Sequence, residues 1–422
     1  MSGPGDARHT RRRFLAVSGT SLATLVAGCS SSDDETPTTT STRVEPAWTF
    51  TADREVTAPT VAHGHVYVGC RDKRLYALDA RRGTVDWRFE TGGYVYPTPV
   101  VTDDRVFVGA EDGNLYALDP ATGRAEWTVD TFHAVRDVSV GPERVYGQFQ
   151  RDDDAGARDD VYGFDRETGE RTFRYETVGD AMVPTVADGT GYVAVRDTDR
   201  RRVTPGVHAV DLATGDDQWV FDPSQRPVSA IPSRTSVVYD DVVFARASSR
   251  GGSGRTFALD RQTGQPRWRL LTPGLGPPRL LVHDGTVFAL IGDRVRALDA
   301  ATGDSTWETR VRSDAPTTFE GQYNAPVIAD GTLYAVGVES NDRGLLVALD
   351  AATGRRQWRT TLPRDTTFSA GSPAVGHDRI FASERYGDTV YAFPANPTAP
   401  PTPRPSATST PTPTPSLEVD RR

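Results

Sequence analysis

Short apolar runs separated by turn residues recur along residues 46–395 and are the dominant pattern of the chain. Typical runs are Val-Phe-Val at 106–108 and Tyr-Ala-Leu at 116–118, and Asp-Gly pairs such as 188–189, 284–285 and 330–331 separate neighbouring runs. Short runs rich in β-branched and aromatic residues, bounded by Asp-Gly pairs, indicate strands joined by tight hairpins. The pattern therefore predicts an all-β fold of antiparallel strands.

A repeated motif organises these strands. It consists of an Asp, a Gly four residues later and an aromatic residue eight residues after the Asp, whereas successive copies begin 39 to 51 residues apart. An Asp side chain accepts hydrogen bonds from backbone amides ahead of it, and Gly adopts the positive φ that closes such a turn. The seven copies are Asp79/Gly83/Trp87, Asp119/Gly123/Trp127, Asp165/Gly169/Phe173, Asp211/Gly215/Trp219, Asp260/Gly264/Trp268, Asp299/Gly303/Trp307 and Asp350/Gly354/Trp358.

Each repeat contains four apolar runs, which predicts a four-stranded antiparallel blade of a β-propeller. The region opens with a single strand at 48–50, beginning at Trp48, and finishes with three strands at 373–375, 380–382 and 391–393. These four segments together make an eighth blade, and closing the ring in this way removes exposed sheet edges. We therefore predict an eight-bladed β-propeller over residues 46–395, closed by its N-terminal strand.

The segment from Ala117 to Trp127 has the pattern Ala-x-Asp-x-x-Thr-Gly-x-x-x-Trp in full. It resembles the repeat of the pyrroloquinoline-quinone-type (PQQ-like, BamB-like) propellers, and the resemblance covers all of 46–395. The resemblance implies that each Trp packs against a neighbouring blade. The family includes quinoprotein alcohol dehydrogenases and non-catalytic scaffolds such as the BamB lipoprotein of outer-membrane assembly, so fold alone does not choose between them.

The amino terminus is predicted to be an export signal. Residues 10–15, Thr-Arg-Arg-Arg-Phe-Leu, resemble a twin-arginine signal with Arg11, Arg12, Phe14 and Leu15 at its characteristic positions. A weakly apolar stretch follows and ends in Val-Ala-Gly before Cys29, which resembles a lipobox. We expect residues 1–28 to be removed and Cys29 to carry a lipid. The protein would then be anchored to the outer side of the cytoplasmic membrane.

Two segments flanking the propeller are predicted to be spacers. Residues 29–45 are rich in Ser and Thr and suit a flexible tether, and residues 396–422 are a Pro/Thr-rich tail that cannot bury enough apolar surface to fold. The formal charge of −9 argues against a nucleic-acid partner. Lys73 is the only lysine beside 47 arginines, and this acidic, lysine-poor composition resembles that of haloarchaeal proteins.

Candidate catalytic chemistry is sparse. The chain has only Cys29 and Cys70, so it lacks the vicinal cysteine pair that quinoprotein alcohol dehydrogenases stack on their quinone. Asp residues at 152–154 and 159–160 could hold Ca²⁺, although a solvated acidic loop explains them better. The scattered histidines and Cys70 fit structural roles. We therefore predict no catalytic, cofactor-binding or metal-binding residue and no cofactor.

Topology indicates where binding would occur. Turns between strands 1 and 2 and between strands 3 and 4 share one face of the disc, here called the turn face. The opposite face, here called the loop face, carries the variable segments 147–160, 196–206, 246–255, 308–325 and 338–345. Variable loops on a rigid scaffold commonly carry binding sites, although they could equally plug the central channel. Candidate contact residues there are Phe132, His133, Arg136, Arg226, Phe319, Tyr323 and Phe368.

These features together predict a monomeric, non-catalytic cell-surface lipoprotein whose propeller binds one or more envelope proteins. Two alternatives remain open at this point. One is a quinone-dependent dehydrogenase that uses pyrroloquinoline quinone and Ca²⁺. The other is an extracytoplasmic solute-binding or sensor domain.

Overall fold

The computed structural model describes residues 44–397 except 154–155, 176–179, 197–204, 224–230, 233–236, 249–253, 273–278, 312–316, 319–324, 340–343, 362–371 and 385–386. Chain contacts divide the protein into two units, Met1–Thr40 and Ser41–Arg422, and every described residue belongs to the second. All regular elements in these ranges are β-strands. No described helix has the length and apolar character needed to cross a membrane. The twin-arginine motif and Cys29 lie outside the described residues.

The described strands form eight antiparallel sheets, which are the blades. The chain begins with β1 (Trp48–Thr51), which belongs to the last blade. Blade 1 comprises β2 (Thr60–Ala62), β3 (His65–Cys70), β4 (Arg74–Asp79) and β5 (Val85–Glu90). Blade 2 comprises β6 (Val100–Val101), β7 (Val106–Gly109), β8 (Asn114–Leu118) and β9 (Ala125–Asp130). Blade 3 comprises β10 (Val135–Val140), β11 (Arg144–Asp153), β12 (Gly156–Asp165) and β13 (Arg171–Tyr175).

Blades 4 to 8 continue the same order. They comprise β14 (Asp180–Ala181), β15 (Thr185–Ala187), β16 (Thr190–Arg196), β17 (Gly206–Asp211) and β18 (Asp217–Phe221); β19 (Ile231–Pro232), β20 (Val237–Tyr239), β21 (Val242–Ser248), β22 (Gly254–Asp260) and β23 (Pro266–Thr272); β24 (Arg279–His283), β25 (Thr286–Ile291), β26 (Arg294–Asp299) and β27 (Ser305–Arg310); β28 (Thr317–Thr318), β29 (Val327–Ala329), β30 (Thr332–Glu339), β31 (Gly344–Asp350) and β32 (Arg356–Thr361); and β33 (Ala374–Gly376), β34 (Arg379–Ser383) and β35 (Thr389–Pro394) with β1.

The eight-bladed propeller predicted from the sequence is confirmed. Three blades differ in one detail, because their first strand is split into two segments that pair with the same second strand: β14 and β15, β19 and β20, and β28 and β29. Segment 147–160, expected as a long loop, is instead mostly the paired strands β11 and β12, with ten residues each. Pairing longer strands satisfies backbone donors and acceptors that a loop would expose.

The ring is closed by the N-terminal strand, as predicted. Strand β1 pairs antiparallel with β35, from Trp48 opposite Ala392 to Thr51 opposite Thr389. Closure extends further back than the predicted boundary at residue 46, into the segment expected to be a flexible tether. Val44 is buried, its backbone N–H donates to Oγ1 of Thr360 at 3.1 Å, and the same hydroxyl donates to the Val44 carbonyl. Residues 44–47 are therefore part of the closed ring.

The apolar core lies between blades rather than within one sheet. Eight clusters of buried residues each join two successive blades, and the last of them joins blade 8 to blade 1. The second and third strands are almost wholly buried, whereas the fourth strands alternate between half-buried and exposed positions, as in β5 and β9. Each fourth strand is the blade's outer edge, because no further described strand pairs with it.

Candidate functional site

The repeated Asp is a turn-forming residue. Oδ1 of Asp119 accepts hydrogen bonds from the backbone N–H and the hydroxyl of Thr122 at 2.7 and 2.6 Å. The Gly123 N–H donates to the Asp119 carbonyl at 2.9 Å, and Gly123 has a φ of 69°. The hydrogen bonds from Thr122 hold the pKa of Asp119 below its usual value.

All seven copies of the motif form this turn. In each copy the Gly N–H donates to the Asp carbonyl at 2.7 to 2.9 Å, and the φ of the Gly lies between 69° and 84°. The seven pairs are Asp79 and Gly83, Asp119 and Gly123, Asp165 and Gly169, Asp211 and Gly215, Asp260 and Gly264, Asp299 and Gly303, and Asp350 and Gly354. These Asp and Gly residues therefore form the turns between the third and fourth strands of their blades.

The repeated Trp ties each blade to the next. At six joints its indole ring lies against the repeat Gly of the following blade, where an added methyl group would come within 2.4 to 2.9 Å of ring atoms. Only Gly fits so close an approach. The six contacts are Trp48 with Gly83, Trp87 with Gly123, Trp127 with Gly169, Trp219 with Gly264, Trp268 with Gly303, and Trp307 with Gly354.

A hydrogen bond accompanies this packing. The indole Nε1–H donates to a backbone carbonyl of the following blade at 3.0 to 3.2 Å. The donors and acceptors are Trp48 to Ala80, Trp87 to Pro120, Trp127 to Arg166, Trp219 to Arg261, Trp268 to Ala300, Trp307 to Ala351 and Trp358 to Ala395. Each Trp thus contacts a neighbouring blade, as the family resemblance implies.

The joint between blades 3 and 4 departs from this pattern, because Phe173 stands where the other joints have Trp. Its Cε2 lies 4.0 Å from the position of a Cβ on Gly215, so the ring packs less closely on this glycine than the indole rings do at the other joints. Phe173 has no N–H to donate, and the guanidinium of Arg144 donates instead to the Leu212 carbonyl at 3.3 Å. The repeat residues, including Phe173, thus contribute to the packing of the ring.

Three of the predicted contact residues lie together on the loop face. Phe132 is 85% exposed and has a φ of 61°, while His133 and Arg136 are half-buried beside it. They occupy the connection from β9 to β10 and the start of β10, at the joint between blades 2 and 3. The other four candidates, Arg226, Phe319, Tyr323 and Phe368, lie outside the described residues.

The backbone around Phe132 is held in place by hydrogen bonds. Its N–H donates to Oδ1 of Asp130 at 2.9 Å. The hydroxyl of Thr131 is within hydrogen-bond distance of the carbonyls of Gly113 and His133, at 2.7 and 3.1 Å, and its N–H donates to the Gly113 carbonyl. The connection therefore rests on the loop between strands β7 and β8, which projects the Phe132 ring outward.

A second group of residues lies near Phe132 and was not predicted from the sequence. Tyr94 and Tyr96, in the connection from β5 to β6, meet edge to face with ring centroids 6.1 Å apart. The guanidinium carbons of Arg71 and Arg136 lie 4.8 and 5.9 Å from the centre of the Tyr96 ring. The sequence feature that could have indicated this group is the run Gly-Gly-Tyr-Val-Tyr-Pro at 92–97, because it places two aromatic residues in an interblade connection.

Carboxylates and an amide hold these arginines. Arg71 pairs with Glu55 at 2.6 Å, Arg136 Nη1 lies 3.7 Å from Glu111, and Arg136 Nε donates to Gln150 at 2.6 Å. Burial raises the pKa of the Tyr96 hydroxyl, and the negative charge of Glu111 raises it further. The Glu111 N–H also donates to the Tyr94 carbonyl, which links this cluster to the loop under Phe132. We call Arg71, Tyr94, Tyr96, Phe132 and Arg136 the aromatic–arginine patch.

The titratable side chains that could take part in metal or redox chemistry also bear on the predictions from the sequence. Among them, no group of three or more His, Cys, Asp or Glu side chains is placed to hold a metal ion. Cys70 is buried, and burial raises the pKa of its thiol to about 12, so it stays protonated and unreactive at neutral pH. Cys70 is the only cysteine in the described part of the chain, since Cys29 lies outside it.

Known proteins with similar sequences include an enzyme of alcohol oxidation and a kinase. The chain is 31% identical over 193 residues to the serine/threonine-protein kinase AfsK of Streptomyces coelicolor, covering 45% of this chain and 20% of the kinase. It is 33% identical over 191 residues to the quinohemoprotein alcohol dehydrogenase of Comamonas testosteroni, covering 43% of this chain and 20% of the enzyme. The matched region thus spans about one fifth of each relative's length.

A solved structure with the same fold is BamB from Moraxella catarrhalis. It superposes with a TM-score of 0.58 at 19% sequence identity, covering 83% of this chain and 97% of BamB. Residues 41–153, 154–274 and 258–398 each match one family model, described as outer membrane protein assembly factor BamB. Because these matches together span most of the chain, the protein belongs to this BamB family of PQQ-like repeat propellers.

Proposed function

We propose that the protein is a non-catalytic scaffold that binds a partner protein through the aromatic–arginine patch. The observation that carries this proposal is Phe132, which is 85% exposed and held at a φ of 61°. A non-glycine residue in the left-handed region costs free energy, and so does exposing a phenyl ring to water. Because both costs fall on one residue, Phe132 is better explained by a role in binding than by a role in stabilising the ring.

The neighbours of Phe132 suit a protein contact. Tyr, Phe and Arg are enriched at the centres of many protein interfaces. Here Tyr96 is stacked against two guanidiniums that Glu55, Glu111 and Gln150 hold in place. A patch fixed in advance loses little conformational entropy when a partner binds. Membership in the BamB family is consistent with an assembly role.

The proposal includes export and membrane anchoring, which rest on the sequence motifs at 10–15 and 26–29. A lipid on Cys29 would tether the ring through residues 30–43, a span of at most about 50 Å when fully extended. Cys29→Ser should release the protein from the membrane fraction or leave an uncleaved precursor. Arg11→Lys combined with Arg12→Lys should block export. Normal anchoring and export in these variants would rule out the proposed route.

The single lysine allows a direct test of the binding face. Lys73 is exposed in the connection between β3 and β4, on the loop face. An amine-reactive photocrosslinker on Lys73 of the full chain should therefore form an adduct with the partner in native membranes. The matched control is Lys73→Arg combined with Arg82→Lys, which moves the amine to an exposed position on the turn face. We expect that control to lose the adduct.

Two further variants test the patch itself. Phe132→Ala should reduce the Lys73 adduct at least several-fold, whereas Leu271→Ala, which removes a side chain 49% exposed on the outer strand of blade 5, should leave it unchanged. Equal adduct yields from wild type and Phe132→Ala would refute the proposed binding face. A quinone absorbance retained after reconstitution with pyrroloquinoline quinone and Ca²⁺ would instead favour the dehydrogenase alternative.

A further inference from the structure

Two polar side chains are buried at the joint between blades 5 and 6. Arg246 on β21 and Thr256 on β22 are paired in register, and their exposed fractions are 7% and 0%. Opposite residues of an antiparallel pair point to the same side of the sheet. Phe244 and Ala258, two positions away on the same side, pack against Leu280 of blade 6. Arg246 and Thr256 therefore face blade 6.

The other blades have no such pair at this position. The residues that correspond to Arg246 are all uncharged, and those that correspond to Thr256 are all Leu or Val. The seven corresponding pairs are Gly69/Leu75, Gly109/Leu115, Gln148/Val161, Ala194/Val207, Leu290/Val295, Val336/Leu346 and Ser383/Val390. The repeat fold thus needs no charge at the position of Arg246 and no hydroxyl at that of Thr256, which indicates a purpose specific to this joint.

A second arginine, Arg279, precedes Leu280 in this joint, and its charge acts on Arg246. Arg279 begins β24 of blade 6, at the loop-face end of the joint, and pairs in register with Leu290. Burial and the positive charge of Arg279 lower the pKa of Arg246 to about 9. The Thr256 hydroxyl is buried and has no hydrogen-bond partner among the described residues. Like charges beside a buried hydroxyl that lacks an acceptor favour the binding of an anion among them.

The surrounding sequence is basic, although the chain as a whole carries a formal charge of −9. Residues 242–283 contain seven Arg and a single acidic residue, Asp260. Asp260 lies on the turn face, where Arg267 binds it and Asp241 at 2.7 and 2.6 Å. The segments 249–253 and 273–278, which adjoin the joint in sequence, contain no Asp or Glu. The one acidic residue of this stretch therefore lies at the opposite end of its blade from Arg246.

We propose that the joint between blades 5 and 6 binds an oxyanion through Arg246, Arg279 and Thr256. The ligand group is a phosphate, a sulfate or a carboxylate, since each accepts charge-assisted hydrogen bonds from guanidinium and hydroxyl donors. A guanidinium carries five N–H donors, so each arginine can bind an anion in addition to its contacts within the protein. The site is distinct from the aromatic–arginine patch, and it does not depend on the proposed function.

Calorimetric titration of the full chain with inorganic phosphate, sulfate and acetate, at constant ionic strength, tests the proposal. We expect one saturable site for at least one of these anions. Arg246→Gln and Arg279→Gln should each weaken binding roughly tenfold or more, as expected for losing a charged hydrogen-bond donor. Thr256→Val should weaken it several-fold with the charge unchanged. The ranking of the three anions distinguishes a phosphate or sulfate ligand from a carboxylate.

Arg267→Gln is the matched control, because it removes the same charge from the turn face of the same blade. Binding should be unchanged in this variant. The absence of saturable binding to wild type, or equal weakening by Arg267→Gln and Arg279→Gln, would overturn the proposal. Arg279→Gln keeps the test decisive if Arg246→Gln fails to fold, because Arg279 is only half-buried at the end of its strand. Unaltered affinity in that variant would also exclude the site.

Discussion

Replacing Phe173 with Trp would give the joint between blades 3 and 4 the residue found at the other joints. The new indole N–H could donate to the Leu212 carbonyl, and such a hydrogen bond contributes about 1 kcal/mol net. The larger ring would pack more closely on Gly215, where the Arg174 carbonyl oxygen and Cε2 of Phe173 now lie 3.8 and 4.0 Å from a Cβ position. Covering some tens of Å² of apolar surface adds about 1 kcal/mol. Displacing the Arg144 contact at 3.3 Å offsets about 0.5 kcal/mol of this gain.

We therefore expect Phe173→Trp to stabilise the ring by about 1 to 1.5 kcal/mol, measured as a shift in the urea midpoint at unchanged slope. Trp219→Phe, at the neighbouring joint, is the reciprocal control and should destabilise it. A double-mutant cycle with Arg144→Ala separates the contributions. Arg144→Ala should destabilise the wild type but have almost no effect in the Phe173→Trp background. Destabilisation by Phe173→Trp, or an equal cost of Arg144→Ala in both backgrounds, would refute this account of the joint.

Two other expectations concern ring closure and acid stability. Deleting residues 44–51 should lower the melting temperature strongly and promote aggregation, because the deletion exposes the edge of β35 and removes Trp48 from Gly83. Deleting residues 398–422 should change the melting temperature little. Equal effects of the two deletions would contradict closure of the ring by the N-terminal strand. The turn carboxyls of Asp119, Asp260 and Asp299 have pKa values below their usual range, that of Asp260 at about 2, because Thr, Arg and backbone N–H groups donate to them. Since the folded pKa lies below the unfolded one, this stabilisation is present above about pH 4 and is lost as the pH falls toward 2. Asp299→Asn should flatten the dependence of melting temperature on pH in that range, and an unchanged slope would exclude the turn carboxyls as its source.

The blade architecture follows from the sequence because its determinants are local. The turn contacts of each repeat join residues at most four positions apart, as from Asp119 to Gly123. The aromatic residue stands a constant eight positions after the Asp, so an alternation of short strands and fixed turns sufficed to predict four strands per blade. The unpaired strand at 48–50 likewise indicated how the ring closes, and β1 pairs with β35 accordingly.

The exposure and the charge of the candidate binding surfaces depend on contacts between residues that are distant in sequence. Whether Phe132 is exposed depends on the loop at Gly113, and the aromatic–arginine patch joins Arg71 to Arg136, which are 65 residues apart. The charge of Arg279 acts on Arg246 only because blade 6 packs against blade 5. Charge and exposure at such points depend on which side chains the ring brings together, and hydrophobic periodicity carries no information about that pairing. The sequence by itself thus determined the scaffold, whereas the tertiary structure decided where its surface can bind.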